Sequence, residues 1–196
     1  VIDGQNAWLH GRTMGSYPQA VARLVAAFVK GVQSAGVTAV TKHFPGFNDL
    51  DGDPALVDVS LHTPRDRLLH NALPFTAAID AGTRAIMTGP APVVALDRQN
   101  AASTSPAVMA MLRSDFGFKG LIVSDDLDAP ATMRGRSLLE TAIASIGAGA
   151  DLLLVGGGPH LDALCDGIAH AARSGRLATE RLAEAAARVR QIAAGA

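Results

Sequence analysis

The sequence predicts an α/β protein built on a parallel sheet, and three observations carry that expectation. Short apolar runs alternate with stretches of helical periodicity. The runs are apolar without interruption, as strands covered on both faces are. The connections between them have the length of crossover helices. The runs are 37–41, 84–88, 120–123 and 150–155, with Val1-Ile2-Asp3 as the tail of a fifth. Such a sheet closes either as an open doubly wound fold or as a (β/α)8 barrel. The barrel needs about 250 residues, so with 196 residues the N-terminal strands would be missing from this sequence.

The helices follow in order. Ser16 and Pro18 suit a helix start, Val21, Leu24, Val25, Phe28, Val29 and Val32 recur at helical spacing, and Gly36 closes the element. Thr63-Pro64 opens a second helix that runs to Gly82, with a break expected near Leu73 because Pro74 lies inside it. A loop, ALDRQNAAST, leads to Ser105-Pro106, a cap followed by a first helical residue, and that helix stops at Gly117. Residues 136–147, 161–173 and 179–194 complete the set, with Gly156-Gly157-Gly158-Pro159 as a tight turn rather than a phosphate cradle, since no GxGxxG or GxxxxGK[ST] pattern is present.

Composition narrows the function. Hydrophobic residues make up 48% and charged ones 18%, and the net charge of −1 leaves no basic excess to neutralise phosphates. Nucleic acid is therefore not an expected partner. No run of 18 uncharged apolar residues occurs, so no membrane span is expected. The one cysteine, Cys165, reads as a small buried thiol. No basic n-region opens the sequence, so no signal peptide is expected within it, and a cytoplasmic or a secreted setting both stay open.

Chemistry gathers where two strands end. The first is followed by Lys42-His43, then Pro45-Gly46, then Asn48, Asp49, Asp51 and Asp53; the third is followed by Ser124-Asp125-Asp126. Ionisable groups at the C-terminal ends of parallel strands build active sites in barrels. The competing readings are a helix-capping pair for Asp125-Asp126 and a solvated terminus for Lys42-His43. DLDGD resembles the start of a calcium loop, but Ser60 stands where the bidentate glutamate belongs, so no metal is assigned. Arg12, in HGRTMG, either forks onto a ligand or is a surface arginine.

Two segments then become specific: KHFPG at 42–46 and, about eighty residues on, GFKGLIVSDDL at 117–127. Together they resemble glycoside hydrolase family 3, nearest to the bacterial beta-N-acetylglucosaminidases that act on cell-wall fragments. GRTMGSYP, FVKGVQSAGV, LPFTAAIDAGTRAIMTG and the closing AGADLLLV and GRLATERLAEAAARV add to the likeness. The resemblance implies a single domain over 1–196, the later part of a (β/α)8 TIM-type barrel. It implies a retaining hydrolysis of terminal β-N-acetylglucosaminides with Asp125 as nucleophile, Asp53 as the aspartate of an acid/base dyad, and Arg12, Lys42 and His43 holding the sugar. No cofactor and no metal are implied, and the partner is a carbohydrate bearing N-acetylglucosamine. Association with a missing N-terminal part or with a second chain is a further expectation.

The sequence departs from the family in one loop. Ala55 stands where the dyad histidine belongs, and Phe47-Asn48-Asp49 replaces the usual continuation of KHFPG. His62 or one of the loop carboxylates is the substitute the sequence offers, although His62 itself reads as a helix-entry residue. Two alternatives follow: a sugar-binding homologue with impaired catalysis, or a family 3 hydrolase for another β-glycoside.

Overall fold

The computed structural model describes residues 6–9 and 11–195; the expected strand tail at 1–3 lies outside them. Its centre is a four-stranded parallel sheet of β1 (Val40–Phe44), β2 (Ala85–Thr88), β5 (Leu121–Asp126) and β6 (Leu152–Leu154), in that spatial order. The strands run in step, with Val40 opposite Ala85, Ala85 opposite Leu121 and Val123 opposite Leu152. The parallel α/β sheet expected from the alternation is what forms, and its four strands are consistent with the partial barrel that the family resemblance implies.

The two inner strands are buried as their apolar runs require. One face of the sheet carries Phe44, Ile86 and Ile122 against Phe75, Met109 and Leu112. The other carries Ala85, Leu121 and Val123 against Val189 and Ile192. Phe44 meets Phe75 and Phe116 edge-on at 5.2 Å each, the preferred approach of aromatic quadrupoles. The outer strands are different: Val40, Leu152 and Leu154 are exposed, so among the described residues β1 and β6 are edges.

Helix α1 (Pro18–Ser34) starts on Pro18 and buries Val21, Val25 and Val29. Tyr17, not Ser16, occupies its cap position, and it makes no side-chain cap. Pro74 breaks the next helix as expected, giving α2 (Arg65–Asn71) and α3 (Leu73–Asp80) with Ala72 between them. Ser105 caps α4 (Pro106–Ala110) by accepting the Val108 N–H, and the chain continues as a wider turn over Met111–Asp115 before Gly117. A short α5 (Pro130–Met133) precedes α6 (Leu138–Ala148). At α6 Ser137 and Glu140 form a reciprocal capping box. Then come α7 (Leu161–Arg173) and α8 (Thr179–Ala193).

Three expectations need correction. The strand set at 37–41 lies at Val40–Phe44, so Lys42 and His43 sit inside it. The largely polar ALDRQNAAST stretch is not a loop alone: β3 (Pro92–Val93) and β4 (Asp97–Ala101) pair antiparallel, a hairpin with no alternation of apolar residues to announce it. Cys165 is exposed on α7, because that helix buries only Leu164 and Ala171.

One glycine is fixed by space. A Cβ at Gly120 would run into the Arg84 carbonyl and stand 2.7 Å from the Phe118 ring. Gly120→Ala is expected to cost about 1–3 kcal/mol by overpacking, read as a lowered urea midpoint with unchanged slope.

Candidate active site

The sheet's C-terminal edge builds a cavity of about 400 Å³, lined by Arg12, Lys42, His43, Asp53, Asp125 and Asp126 among others. All five residues singled out from the sequence therefore meet at one place. Both strands that supply them are irregular there: β1 loses register between Thr41 and Phe44, and β5 between Val123 and Asp126. Such bulges re-aim side chains out of the sheet pattern. The peptide bonds Lys42–His43 and Phe44–Pro45 are both cis.

His43 Nε2 lies 3.4 Å from Asp125 Oδ2. Burial, aided by the positive charge of Lys42, pushes the imidazole down to about 3 from its ordinary 6.5. The ring is neutral at any pH near 7, so this contact is a neutral imidazole facing a carboxylate. Burial also pushes Asp125 up to about 6. The Asp126 N–H, which donates to Asp125 Oδ1 at 2.8 Å, and Lys42 pull the other way, while the charges of Asp126 and Asp53 add to the rise. The carboxylate is thus held where it is partly protonated just below neutrality, which marks a group under functional constraint. A helix-capping role for Asp125-Asp126 is excluded: both lie in β5, and α5 has Ala129 at its cap.

His43 is gripped from the side. The Phe47 ring stacks on it at 4.4 Å and 16°, and Trp8 leans on Phe47 at 5.8 Å. The Phe47 ring can stand there because position 89 is glycine; a Cβ at Gly89 would come within 2.8 Å of Phe47 Cε1. Asn6 fastens the loop behind Phe47, donating to the Phe47 carbonyl and accepting the Leu50 N–H at 2.9 Å. The sequence offered no sign of this aromatic wall beyond the unusual Phe47 itself. Phe47→Ala would remove a buried ring and the prop of His43. It is expected to destabilise the chain by about 3–5 kcal/mol, measured by chemical denaturation.

Arg12 stands at the rim, its Nε donating to the Leu9 carbonyl at 3.0 Å and an Nη to that of Trp8 at 3.3 Å. Asp53 reaches the cavity from a loop that folds back on itself. Its Oδ1 accepts the Ala55 N–H at 3.0 Å, and the Pro54 carbonyl accepts the Ala131 N–H at 3.4 Å. An ion pair between Asp58 and Arg134 closes the far end. Asp49 turns away in a left-handed conformation toward Arg67, and neither it nor Asp51 lines the cavity. His62 is exposed outside it. Among the described residues His43 is the one histidine in the lining.

A parallel α/β sheet thus delivers from its strand ends a raised carboxylate, a lysine and a neutral histidine to one cavity, where barrel-type proteins build their sites. The family model for the glycosyl hydrolase family 3 N terminal domain matches residues 2–192, and the chain belongs to that family. Beta-hexosaminidase from Neisseria gonorrhoeae is 34% identical over 166 residues, which is 84% of this chain and 46% of that protein. Beta-hexosaminidase from Xanthomonas campestris pv. campestris is 32% identical over 151 residues, 76% of this chain and 46% of that one. Among solved structures, a glycoside hydrolase family 3 beta-N-acetylglucosaminidase from Paenibacillus sp. superposes with a TM-score of 0.88 at 32% identity, over 94% of this chain and 36% of that chain. Beta-N-acetylhexosaminidase from Beutenbergia cavernae gives 0.84 at 31%, over 94% and 54%. The chain thus spans about half the length of the curated relatives it matches. Its membership of family 3 is shown by the family match, and its likeness to hexosaminidases is one of sequence and fold.

Proposed function

We propose that the site recognises a terminal β-N-acetylglucosaminide and retains the nucleophilic half of a retaining glycosidase while its protonating half is impaired. Asp125 is the attacking carboxylate, and Lys42, His43 and Arg12 hold the sugar's oxygens. In the first step an Asp125 oxygen bonds to the anomeric carbon as the bond to the leaving oxygen breaks. Water then attacks the same carbon and frees Asp125. The aglycone departs as an oxyanion and needs a proton unless it is a good leaving group.

One observation carries the reading: Ala55, at the cavity wall, has nothing to donate. His43, held neutral against the nucleophile, faces Asp125 instead of a leaving group. General acid catalysis is typically worth about 10²–10⁴-fold. A dinitrophenyl N-acetylglucosaminide should therefore be cleaved at least 100-fold faster, relative to a family member with an intact dyad, than the β-linked N-acetylglucosamine disaccharide. Equal relative rates for the two substrates would overturn the impairment. Replacing Asp53 with asparagine separates a further reading, in which that carboxylate is itself the acid: only then would disaccharide cleavage be lost while the dinitrophenyl rate survives. Activity confined to a glucoside in the same panel would move the assignment to another β-glycoside.

Association with a further barrel portion or a second chain belongs to the same proposal. Exposed Val40 on β1 and exposed Leu152 and Leu154 on β6 support it, since open parallel edges are otherwise covered in folded proteins. Sedimentation is expected to show self-association with rising concentration, and a monomer throughout would count against a second copy.

A further inference from the structure

At the end of β5 the sheet stops bonding to itself. Val123 is opposite Leu152 and Asp126 opposite Leu154, and between them Ser124 and Asp125 are out of register. Two hydroxyls replace the missing ladder. Ser124 Oγ accepts the Leu154 N–H at 2.9 Å, and Ser103 Oγ accepts the Asp125 N–H at 3.0 Å. Ser124 belongs to the strand itself. Ser103 comes from the turn Ala102–Thr104, after the β3–β4 hairpin, and is fully buried.

A serine hydroxyl has one proton to give and two lone pairs to offer. The Ser103 proton goes to the end of β2, where the Gly89 carbonyl is 3.0 Å away and that of Thr88 3.3 Å. Thr88 Oγ1 lies 3.0 Å from Ser103 Oγ and 3.3 Å from the Val123 carbonyl. From behind, Ser145 Oγ on α6 donates to the Ser103 carbonyl at 2.7 Å. The hydroxyl thus clamps the ends of two neighbouring strands together at the point where one of them presents its carboxylate.

We propose that Ser103 is a positioning residue for Asp125, tying its amide to the end of β2 and so fixing the direction in which the carboxylate leaves β5 toward His43. The inference rests on Asp125 being the nucleophile, as read above. A carboxylate free to pivot by about 1 Å loses on the order of 10²-fold in rate.

The test is Ser103→Ala, assayed with the dinitrophenyl glycoside well below its melting temperature, alongside a carbon-13 carboxyl titration of Asp125. The expected result is a 10–100-fold fall in kcat (about the penalty for such misplacement) with little change in KM. The Asp125 titration should also move from about 6 toward the ordinary carboxylate range as the side chain gains access to water. Ser103→Thr, which keeps the oxygen, should restore both. A folded alanine variant with wild-type kcat and an unmoved titration overturns the proposal, as does lowered thermal stability alone. Should alanine prevent folding, Ser103→Cys keeps the volume, lacks a good acceptor and is read in the same way. If the wild-type chain cleaves nothing, the functional reading fails on that account, while the titration still decides whether Ser103 orients Asp125.

Discussion

Asp125→Ala is expected to abolish cleavage of an activated N-acetylglucosaminide, by a factor on the order of 10⁴ or more if the carboxylate is the nucleophile. Among the described residues Asp126 and Asp53 are the other carboxylates of the lining. Asp126 is exposed and turns its N–H to Asp125, and Asp53 has one oxygen engaged by its own loop. Residual activity within tenfold of wild type would remove Asp125 from the mechanism. The pH profile supplies a second check. The nucleophile must be ionised, and Asp125 is pushed up to about 6, so kcat/KM should rise through an acid limb near pH 6. His43, pushed down to about 3, contributes no limb in that range. Lys42 opposes the rise in Asp125, so Lys42→Met should shift the acid limb further upward.

The same carboxylate carries a stability cost with a definite sign. A carboxyl whose folded value lies above its unfolded value favours folding below about pH 4, and that benefit is lost as pH rises through about 6. The ionised form is the one the fold resists. Asp125→Asn keeps the shape without the charge. It should be about 1–2 kcal/mol more stable than wild type at pH 8, after discounting for partial exposure, and no more stable at pH 4. Urea melts at the two pH values decide it.

The second large effect lies at the opposite end of the sheet. Asp151, just before β6, has a fully buried carboxylate between three arginines. Arg113 reaches it at 2.7 Å and Arg188 at 3.0 Å, and Arg181 bonds to the same group. Its Oδ2 also accepts the Ile122 N–H at 3.0 Å. One side chain therefore joins the starts of β5 and β6, the turn after α4, and α8. Asp151→Ala leaves Arg113 with carbonyl partners but no carboxylate, leaves Arg181 and Arg188 with Glu184 as their shared carboxylate, and orphans the Ile122 amide. Breaking such a pair by removing one partner costs about 3–5 kcal/mol, a large share of a domain's stability. The expected outcome is a chain that is unfolded or insoluble at 37 °C. A drop of less than 1 kcal/mol in a denaturant titration would show the cluster to be no more than a solvated surface network.

The order of the helices and strands was legible because it is written in short-range patterns: apolar runs, Pro at first turns, Gly after last ones. Pro74 alone marks the break between α2 and α3 in the sequence. The β3–β4 hairpin was not legible, since Asp97–Asn100 is a run of four polar residues and the strand is held by pairing and by the Asp97 contacts to Asn100 and Ser105. Cys165 was misplaced for a related reason: its neighbours are apolar, yet α7 turns it outward. At the site, Lys42, His43, Asp53, Asp125 and Arg12 were found through strand ends and motif likeness. Ser103 and Trp8 were not. Each acts across tens of residues through a hydrogen bond or a ring contact, and no local spacing encodes that.

The arginine cluster around Asp151 and the Asp53–Ala55 loop sit at opposite ends of the same strands, and the distance between them has an evolutionary meaning. The charged cluster that ties the scaffold together is gathered where the strands begin; the cavity lining is gathered where they finish. Position 55 is an exposed loop residue that takes no part in the arginine cluster, so on the proposed reading a proton donor can be lost there while the scaffold stays intact. Selection against misfolding would then act on Asp151 and leave position 55 free to change.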